Sequence, residues 1–176
     1  NEGPDALSRL NGIFAFGLWL ANEQKLLLAR DPLGVKPLYY ANTPSGFIFA
    51  SELKSILKVA TVDRNINVRG LSSYLSFMYS PFPETMVSGV KKLPPGHAMT
   101  VDAAGEIKTW QYYQLPNDIE QPEMPFDEAV AQVKKTLRES IERQMVADVP
   151  VGAFLSGGLD SSSVVAHARD FCGKSK

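Results

Sequence analysis

The chain has 176 residues, and its formal net charge of −1 argues against a nucleic-acid-binding protein, which usually carries a basic excess. Its single cysteine excludes an internal disulfide framework and a zinc site built from several thiolates, and low cysteine content fits a cytoplasmic protein. No apolar run approaches the roughly 20 residues of a membrane-spanning helix, and residues 1–5 lack the features of a secretory signal. Neither a nucleic acid nor a membrane is therefore expected as a partner.

The first half of the chain is predicted to be rich in β-structure. Two apolar runs, residues 13–20 and 25–30, flank a short polar turn and predict a hairpin. Neither run alternates apolar with polar residues, so each of the two strands is expected to be covered on both faces. Residues 37–41 and 47–50 predict a second hairpin, after which Ser51 is expected to cap a short helix over 52–57.

The middle of the chain combines a helix with a third hairpin. Asn67 is predicted to begin a helix over residues 68–78, which the prolines that follow would end. Residues 91–97 are predicted to form a rigid turn, and 98–101 with 106–110 a hairpin. Residues 116–125 hold three prolines and three acids and are predicted to be a linker.

The last third of the chain is predicted to be helix, strand, loop and helix. Apolar residues recur at steps of three or four from Phe126 to Met145, which predicts an amphipathic helix. Residues 151–155 are predicted to be a short buried strand, 156–162 a tight loop and 163–171 a helix.

This loop, Ser-Gly-Gly-Leu-Asp-Ser-Ser, carries the strongest chemical signal. Gly157 and Gly158 allow a ligand to approach the backbone closely, and the helix that follows adds unpaired amides and the positive end of its dipole. The pattern therefore predicts a cradle for a phosphate or pyrophosphate. It is neither a GxxxxGK[ST] loop nor a GxGxxG loop. Asp160, with no lysine in the loop, suits a magnesium-bound pyrophosphate. The alternative is a glycine-rich turn capped by serines that binds nothing.

The loop resembles the PP-loop of the ATP pyrophosphatases, and residues 148–162 are similar to the start of the synthetase domain of glutamine-hydrolysing asparagine synthetases. Upstream blocks resemble the latter half of a class II glutamine amidotransferase domain. These blocks are residues 10–16, 29–40, 50–54 and 93–97. Glutamine phosphoribosylpyrophosphate amidotransferases share some of them, but the combination with SGGLDSS favours the asparagine synthetases.

The resemblance implies a fold of the α+β class. Residues 1–115 would be the latter half of an αββα glutaminase domain of the N-terminal nucleophile type, 116–125 the linker, and 126–176 the start of an α/β PP-loop synthetase domain. It also implies that the parent enzyme makes asparagine from aspartate, glutamine and ATP, through a β-aspartyl adenylate with release of AMP and pyrophosphate. ATP and Mg²⁺ are thus the expected ligands, and a homodimer is compatible with the parent.

The resemblance also assigns roles within the loop. The oxyanions of pyrophosphate would be held by five residues, namely Ser156, Gly157, Gly158, Ser161 and Ser162. Asp160 would be a magnesium ligand, and the backbone of Leu155 would lie beside the nucleotide.

The family's glutaminase uses an N-terminal cysteine as its nucleophile, whereas residue 1 is Asn and the only thiol is Cys172. We therefore expect the nucleophile to precede Asn1 in a longer parent and the 176-residue fragment to be inactive by itself. Cys172 is interpreted as a helix-end residue. Two alternatives stay open: a β-lactam or peptide-cyclising synthetase with an inactive glutaminase half, and a non-catalytic nucleotide-binding module.

Other conspicuous residues receive structural interpretations. Arg30 and Asp31 lead into a Pro-Gly loop and are expected to fix it rather than to act in catalysis. Glu52 is expected at the start of a helix, where its charge is favourable to the helix dipole. His97 is expected to be a turn residue, and no catalytic or binding role is assigned to His167. Two aromatic clusters are expected in the core or at a domain interface. They are Tyr39-Tyr40 and Trp110-Tyr112-Tyr113.

Overall fold

A computed structural model describes residues 3–117 and 123–172. The chain divides into two compact units, Asn1–Asn117 and Asp118–Lys176, hereafter the first and second units. Within the described ranges, no helix combines the length and the apolar character needed to cross a bilayer.

The regular elements of the described residues comprise seven strands, four α-helices and two short 3-10 helices. The strands are β1 (Ala15–Leu20), β2 (Lys25–Arg30), β3 (Tyr39–Thr43), β4 (Gly46–Ala50), β5 (Lys91–Lys92), β6 (His97–Asp102) and β7 (Ile107–Gln111). The α-helices are α1 (Leu53–Ile56), α2 (Val68–Phe77), α3 (Phe126–Gln144) and α4 (Leu159–Ala168), and the 3-10 helices are Gly3–Arg9 and Arg169–Phe171. Antiparallel sheets accompanied by separate helices confirm the predicted α+β class.

The first unit contains two antiparallel sheets. One has the strand order β1-β2-β6-β7 and the other β4-β3-β5. All three predicted hairpins are confirmed: β1 pairs with β2, β3 with β4, and β6 with β7. Short polar or glycine-containing turns between apolar runs bring neighbouring strands together in each case.

The two strands of the first hairpin differ in burial. Leu28 of β2 belongs to one buried cluster and Leu27 and Ala29 to another, so β2 is covered on both faces, as predicted. The same expectation is wrong for β1, where Leu18 and Trp19 are half exposed. The physical reason is position, since β2 lies between two strands whereas β1 is an edge strand of the described sheet.

The second sheet carries a core of its own. Ala41 on β3 and Ile56 on α1 pack with Val62 and Val90 in a buried cluster. The expected helix at 52–57 is present as the shorter α1, but the predicted cap is wrong. Glu52 is the N-cap residue of α1 and makes no side-chain capping bond, so Ser51 does not cap the helix.

Helix α2 begins as predicted. The side chain of Asn67 accepts hydrogen bonds from the amides of Arg69 (3.1 Å) and Gly70 (3.3 Å). The helix ends at Phe77, one residue earlier than expected, because Met78 adopts a left-handed conformation with φ 58°.

The predicted rigid turn at 91–97 is shorter in the structure. Lys91 and Lys92 form strand β5, which pairs with Tyr40 and Tyr39 of β3. His97 already belongs to β6, so the turn occupies only residues 93–96. Local sequence could not reveal this pairing, because the partner strand lies about fifty residues upstream in the chain.

In the second unit, α3 confirms the predicted amphipathic helix. The strand predicted over residues 151–155 is wrong, since these residues have no regular secondary structure and Phe154 is fully exposed. A strand needs a partner for its backbone groups, and the described residues provide none at this segment. The following helix begins at Leu159, four residues earlier than predicted.

Candidate functional site

The candidate site is the segment from Leu155 to Ser162, hereafter the SGG loop, which leads into α4. Gly157 has φ +82°, a left-handed conformation that glycine adopts without a steric penalty. Gly158 is the N-cap residue of α4, in an extended conformation. The two glycines thus form the predicted turn, but the chain enters the helix four residues earlier than the sequence predicted.

Three side-chain hydrogen bonds hold this turn. The hydroxyl of Ser161 donates to the carbonyl of Gly158 (3.2 Å), and the hydroxyls of Ser156 and Ser161 lie 2.9 Å apart. The amide of Gly158 donates a long bond, 3.5 Å, to the Ser156 hydroxyl. The two serines therefore connect the start of the loop to the first turn of α4.

The first turn of α4 provides main-chain donors. No side chain caps this helix, and the amide of Ser162 is the one that donates back to Gly158 (3.0 Å). The amides of Leu159, Asp160 and Ser161 come before that first helical bond, so helix geometry leaves them without an intrahelical acceptor. Such amides, at the positive end of the helix dipole, suit an anion.

Asp160 lies within that first turn and is exposed. Across the described residues, no group of three or more His, Cys, Asp or Glu side chains is assembled for a metal ion. A single carboxylate nonetheless fits Mg²⁺, which commonly keeps several waters and takes its other ligands from substrate phosphates. Asp160 is thus compatible with a metal that arrives with a nucleotide.

The SGG loop lies on an open surface. Leu155 is 61% exposed and Leu159 88%, so the described residues build no enclosed pocket around the loop. Two cavities of the first unit, of about 520 and 440 Å³, include none of the loop residues.

Sequence reasoning placed Asp160, Ser161 and Ser162 in a loop, whereas the structure places them in the first turn of α4. This changes their chemistry, because they contribute helix-terminal amides besides their side chains. A signal was present in the sequence, because acidic residues are enriched in the first turn of helices and Asp160 lies two residues after the Gly-Gly pair.

Arg30 and Asp31 have the structural role that the sequence predicted. The Asp31 carboxylate accepts hydrogen bonds from the amides of Val35 (2.9 Å) and Lys36 (3.0 Å), and also from that of Leu33. The Arg30 guanidinium donates to three carbonyls. They are those of Gly34 (2.7 Å), Lys36 (2.7 Å) and Leu93 (2.6 Å). Both side chains are buried and bind backbone groups. Asp31 binds within the loop that follows it, whereas Arg30 binds this loop and also Leu93 on a distant segment.

The electrostatics around this loop follow from burial. Burial lowers the pKa of the Arg30 guanidinium, partly offset by the neighbouring Asp31 carboxylate. Burial, and then the positive charge of Arg30, also lower the pKa of Lys92, whose ammonium donates to the Ser80 carbonyl. Burial and the Asp31 carboxylate raise the pKa of Tyr112 to about 12, and its hydroxyl donates to the Arg30 carbonyl (2.6 Å).

The remaining candidates have structural surroundings. The Nδ1 atom of His97 donates to the Pro95 carbonyl (2.7 Å), since a carbonyl can only accept. The thiol of Cys172 lies 3.5 Å from the Ala168 carbonyl, just after the second 3-10 helix. Trp110 and Tyr112 pack against a buried cluster, which confirms the core interpretation for these two aromatic residues.

Comparison with protein families places these observations in context. The family model described as "Glutamine amidotransferase domain" matches residues 1–113, nearly two thirds of the chain. This chain belongs to the glutamine amidotransferase domain family. A second family model, "Asparagine synthase", matches residues 132–174, a stretch that includes the SGG loop.

Similar curated proteins carry matching names. Asparagine synthetase [glutamine-hydrolyzing] 1 of Bacillus subtilis (strain 168) is 41% identical over 167 residues, which are 95% of this chain and 26% of that protein. Putative asparagine synthetase [glutamine-hydrolyzing] 2 of Methanocaldococcus jannaschii is 37% identical over 99% of this chain and 34% of that protein. Amidase chyE of Penicillium rubens is 35% identical over 96% of this chain and 25% of that protein. The chain thus spans about a quarter to a third of the length of these relatives.

Among solved structures, glutamine phosphoribosylpyrophosphate amidotransferase from B. subtilis, complexed with ADP and GMP, is similar with a TM-score of 0.37 and 18% identity. The similarity covers 94% of this chain and 32% of that chain.

Proposed function

We propose that this chain is part of a longer glutamine-dependent asparagine synthetase. The observation that carries the proposal is the order of the two family regions, a glutamine amidotransferase region followed by an asparagine synthase region. Relatives named asparagine synthetase are similar across nearly the whole chain, so their similarity spans both regions. In domain terms we assign residues 1–115 to the glutaminase, 116–125 to a linker and 126–176 to the synthetase.

In this proposal the glutaminase part releases ammonia from glutamine, and the synthetase part activates the side-chain carboxylate of aspartate with ATP. Adenylation makes a poor leaving group into a good one, because AMP departs more readily than hydroxide when ammonia attacks. The enzyme contributes chiefly by binding the triphosphate and by stabilising the charge that develops on it. The proposal includes a cytoplasmic location and leaves a homodimer open.

The SGG loop would bind the pyrophosphate portion of ATP. Main-chain amides at the start of α4 donate to the phosphate oxygens, and the glycines allow the anion to approach the backbone closely. Asp160 would hold Mg²⁺, which neutralises part of the phosphate charge when bound. The backbone of Leu155 would lie beside the nucleotide, and we keep the predicted set of Ser156, Gly157, Gly158, Ser161 and Ser162 as the pyrophosphate site.

The test is an assay of pyrophosphate release by a protein that contains both complete family regions. Release should depend on aspartate, and Asp160→Asn should lower kcat at least about tenfold, a loss of about 1.4 kcal/mol of transition-state stabilisation. Asp127→Asn, on the exposed surface of α3, is the matched control and should leave kcat unchanged. A wild-type protein that released no pyrophosphate in the presence of aspartate would refute the proposal.

One observation favours a second candidate of the same chemical type. Relatives at 35% identity are named amidases, so similarity at this level extends beyond proteins named asparagine synthetase. A β-lactam synthetase-like or peptide-cyclising enzyme would also adenylate a carboxylate, but with a substrate other than aspartate. Pyrophosphate release that requires another carboxylate would favour this candidate. Calorimetric binding of MgATP without turnover of any carboxylate would instead indicate a non-catalytic nucleotide-binding module.

A further inference from the structure

Helix α2 presents three different faces. One face packs against the segment around Thr85, where a Cβ on Gly70 would come within 2.0 Å of the Thr85 carbonyl oxygen. A second face is polar and consists of Arg69, Ser72 and Ser76. The third carries apolar side chains at steps of three, four and three residues, and we call it the α2 stripe. The α2 stripe consists of Val68, Leu71, Leu75 and Met78.

The α2 stripe is turned towards solvent. Val68 is 75% exposed, Leu75 72% and Met78 77%, although an amphipathic helix ordinarily buries its apolar side. Contiguous apolar surface of this kind marks a site of interaction in a soluble protein.

The outward orientation of the stripe is fixed by contacts on the other side of α2. The Ser80 hydroxyl donates to the Gly70 carbonyl (3.1 Å), and the side chain of Asn67 donates to the Glu84 carboxylate. A roll of the helix that buried the stripe would break both bonds and separate Gly70 from Thr85. The exposed stripe is therefore built into the fold of the first unit.

The charges of α2 restrict the kind of partner that the stripe can bind. Arg69 is the only charged residue of the helix and lies on the polar face, so the stripe offers no charge to an acidic or a basic partner. Helices that bind a membrane surface are usually rich in lysine and arginine on the polar face, and α2 is not. The partner surface is thus expected to be apolar and uncharged.

A second copy of α2 provides such a surface, because the spacing of the stripe is the same in both directions along the helix. An antiparallel copy related by a two-fold axis would place Leu71 opposite Leu75 of the second copy. The same axis would place Val68 opposite Met78 of the second copy. The stripe is therefore self-complementary, as an interface between two identical chains requires.

Exposed apolar residues extend the stripe at both ends of the helix. Ile66, 67% exposed, precedes α2, and Tyr79, 49% exposed, follows it. Antiparallel packing brings these two positions of different copies together. A helix of ten residues is about 15 Å long, so the contact with its extensions suits a small interface of about 600 Å² from each copy. An interface of this size predicts a weak dimer that dissociates on dilution.

We propose that the α2 stripe is the interface of a homodimer, in which two copies of this chain pack their α2 helices antiparallel about a two-fold axis. This inference goes beyond the proposed function, which leaves the oligomeric state open and assigns no surface to it.

Sedimentation velocity of the longer protein at increasing concentration tests the dimer. The wild type should change from monomer to dimer as its concentration rises through the micromolar range. Leu75→Glu should weaken dimerisation at least about tenfold, because it would bury a charge without a partner. Its Tm under dilute, monomeric conditions should not change, since Leu75 is exposed in the single chain. Ser76→Glu adds the same charge on the polar face, and as the matched control it should dimerise normally.

A charge pair tests the antiparallel arrangement. Val68→Glu and Met78→Lys should each weaken the dimer, and the double variant should restore it, because each new acid would face the new base of the other copy. The two positions are about 15 Å apart along one helix, too far to pair within a single chain. A double variant that is weaker than both single variants would overturn the arrangement.

Three results would overturn the dimer itself. One is a wild type that stays monomeric throughout the concentration range, and another is a dimer that Leu75→Glu does not weaken. The third is a monomeric wild type whose Tm falls with Leu75→Glu, which would show that another part of the longer protein covers the stripe. None of these results bears on aspartate-dependent pyrophosphate release, so the proposed function stands or fails separately.

Discussion

Arg30 and Asp31 bind the two backbone polar groups of one residue, Lys36. The Arg30 Nε donates to the Lys36 carbonyl at 2.7 Å, and the Asp31 Oδ2 accepts from the Lys36 amide at 3.0 Å. Neighbouring residues of opposite charge thus each bind backbone rather than serving as an exposed ion pair. The loop over residues 31–36 depends on both side chains, because a buried polar group left without its partner is costly.

The first prediction concerns the Asp31 carboxylate, which is 1% exposed and accepts hydrogen bonds at both oxygens. Asp31→Asn would turn an NH₂ group towards a backbone N–H, so we expect a loss of about 2–3 kcal/mol in the free energy of unfolding. Urea unfolding followed by tryptophan fluorescence measures it, since both tryptophans, Trp19 and Trp110, lie in the first unit.

Asp102→Asn is the matched control for that experiment. Asp102 accepts from the amides of Ala104 (2.9 Å) and Glu106 (2.8 Å) with one oxygen, Oδ1, which asparagine also provides. Asp102→Asn should therefore lower the free energy of unfolding by less than about 1 kcal/mol. Equal losses at the two positions would contradict the importance of the second Asp31 oxygen.

The second prediction tests the close approach at Gly34. This residue has φ +66°, and a Cβ there would lie 2.7 Å from the Pro95 side chain and 3.1 Å from the Arg30 guanidinium. Gly105 also has a positive φ, +82°, but a Cβ there would meet nothing within 4 Å. Gly105→Ala should cost about 1–2 kcal/mol from backbone strain alone. Gly34→Ala should lower the free energy of unfolding by more, because its Cβ would also clash with Pro95 and Arg30. Urea midpoints that rank the two variants in the opposite order would refute this close approach.

The third prediction is that alanine destabilises α2 at one position. Gly70→Ala in an isolated helix would gain about 1 kcal/mol from propensity. Here the new Cβ would lie 2.0 Å from the backbone carbonyl oxygen of Thr85, so we expect a net loss of about 1–3 kcal/mol. Ser72→Ala, exposed on the same helix, should be neutral or slightly stabilising. The same urea titration checks both, and a stabilised Gly70→Ala would show that α2 and Thr85 are not in contact.

The fourth prediction concerns pH. The folded pKa of Tyr112, about 12, lies above the ordinary value of 10.0, so its neutral form is favoured in the folded chain. Tyr112 therefore stabilises the fold fully below pH 10, and this contribution is lost as the pH rises from 10 to 12. Tyr112→Phe should cost about 1 kcal/mol at neutral pH, from the lost bond to the Arg30 carbonyl.

Unfolding of the wild type and of Tyr112→Phe should be compared between pH 8 and 12. The difference in unfolding free energy should be constant up to about pH 10 and then narrow, since only the wild type carries the phenol of Tyr112. Tyr113→Phe, at the more exposed neighbouring position, controls for removal of a phenol group. A difference that widens above pH 10 would contradict the direction of the shift.

The fifth prediction concerns the left-handed glycine of the SGG loop. Gly157→Ala places a Cβ in open space at φ +82°, so its effect comes from backbone strain of about 1–2 kcal/mol. In the longer protein we expect affinity for magnesium pyrophosphate to fall about tenfold with little change in Tm. Gly152→Ala, where a Cβ also meets nothing within 4 Å, should leave the affinity unchanged. Equal affinities for all three proteins would contradict a requirement for the left-handed turn.

Particular elements show how far the sequence could be interpreted. The three hairpins, the Asn67 cap and helix α3 follow from local patterns, since turn residues and apolar spacing act over a few positions. The strand at 151–155 was wrong because apolar composition cannot supply a partner strand. In the SGG loop the composition predicted the turn and its glycines, but only the structure showed that α4 already begins at Leu159.

The sequence by itself determined which segments turn, that Asn67 caps α2, and where a loop with the chemistry of a phosphate cradle occurs. The tertiary structure decided which faces are covered and which backbones approach closely. Arg30 donates to Leu93 across 63 positions, and Gly70 of α2 lies against Thr85 on another segment. Such contacts depend on how distant segments pack, and the periodicity of one segment contains no information about what will lie against it.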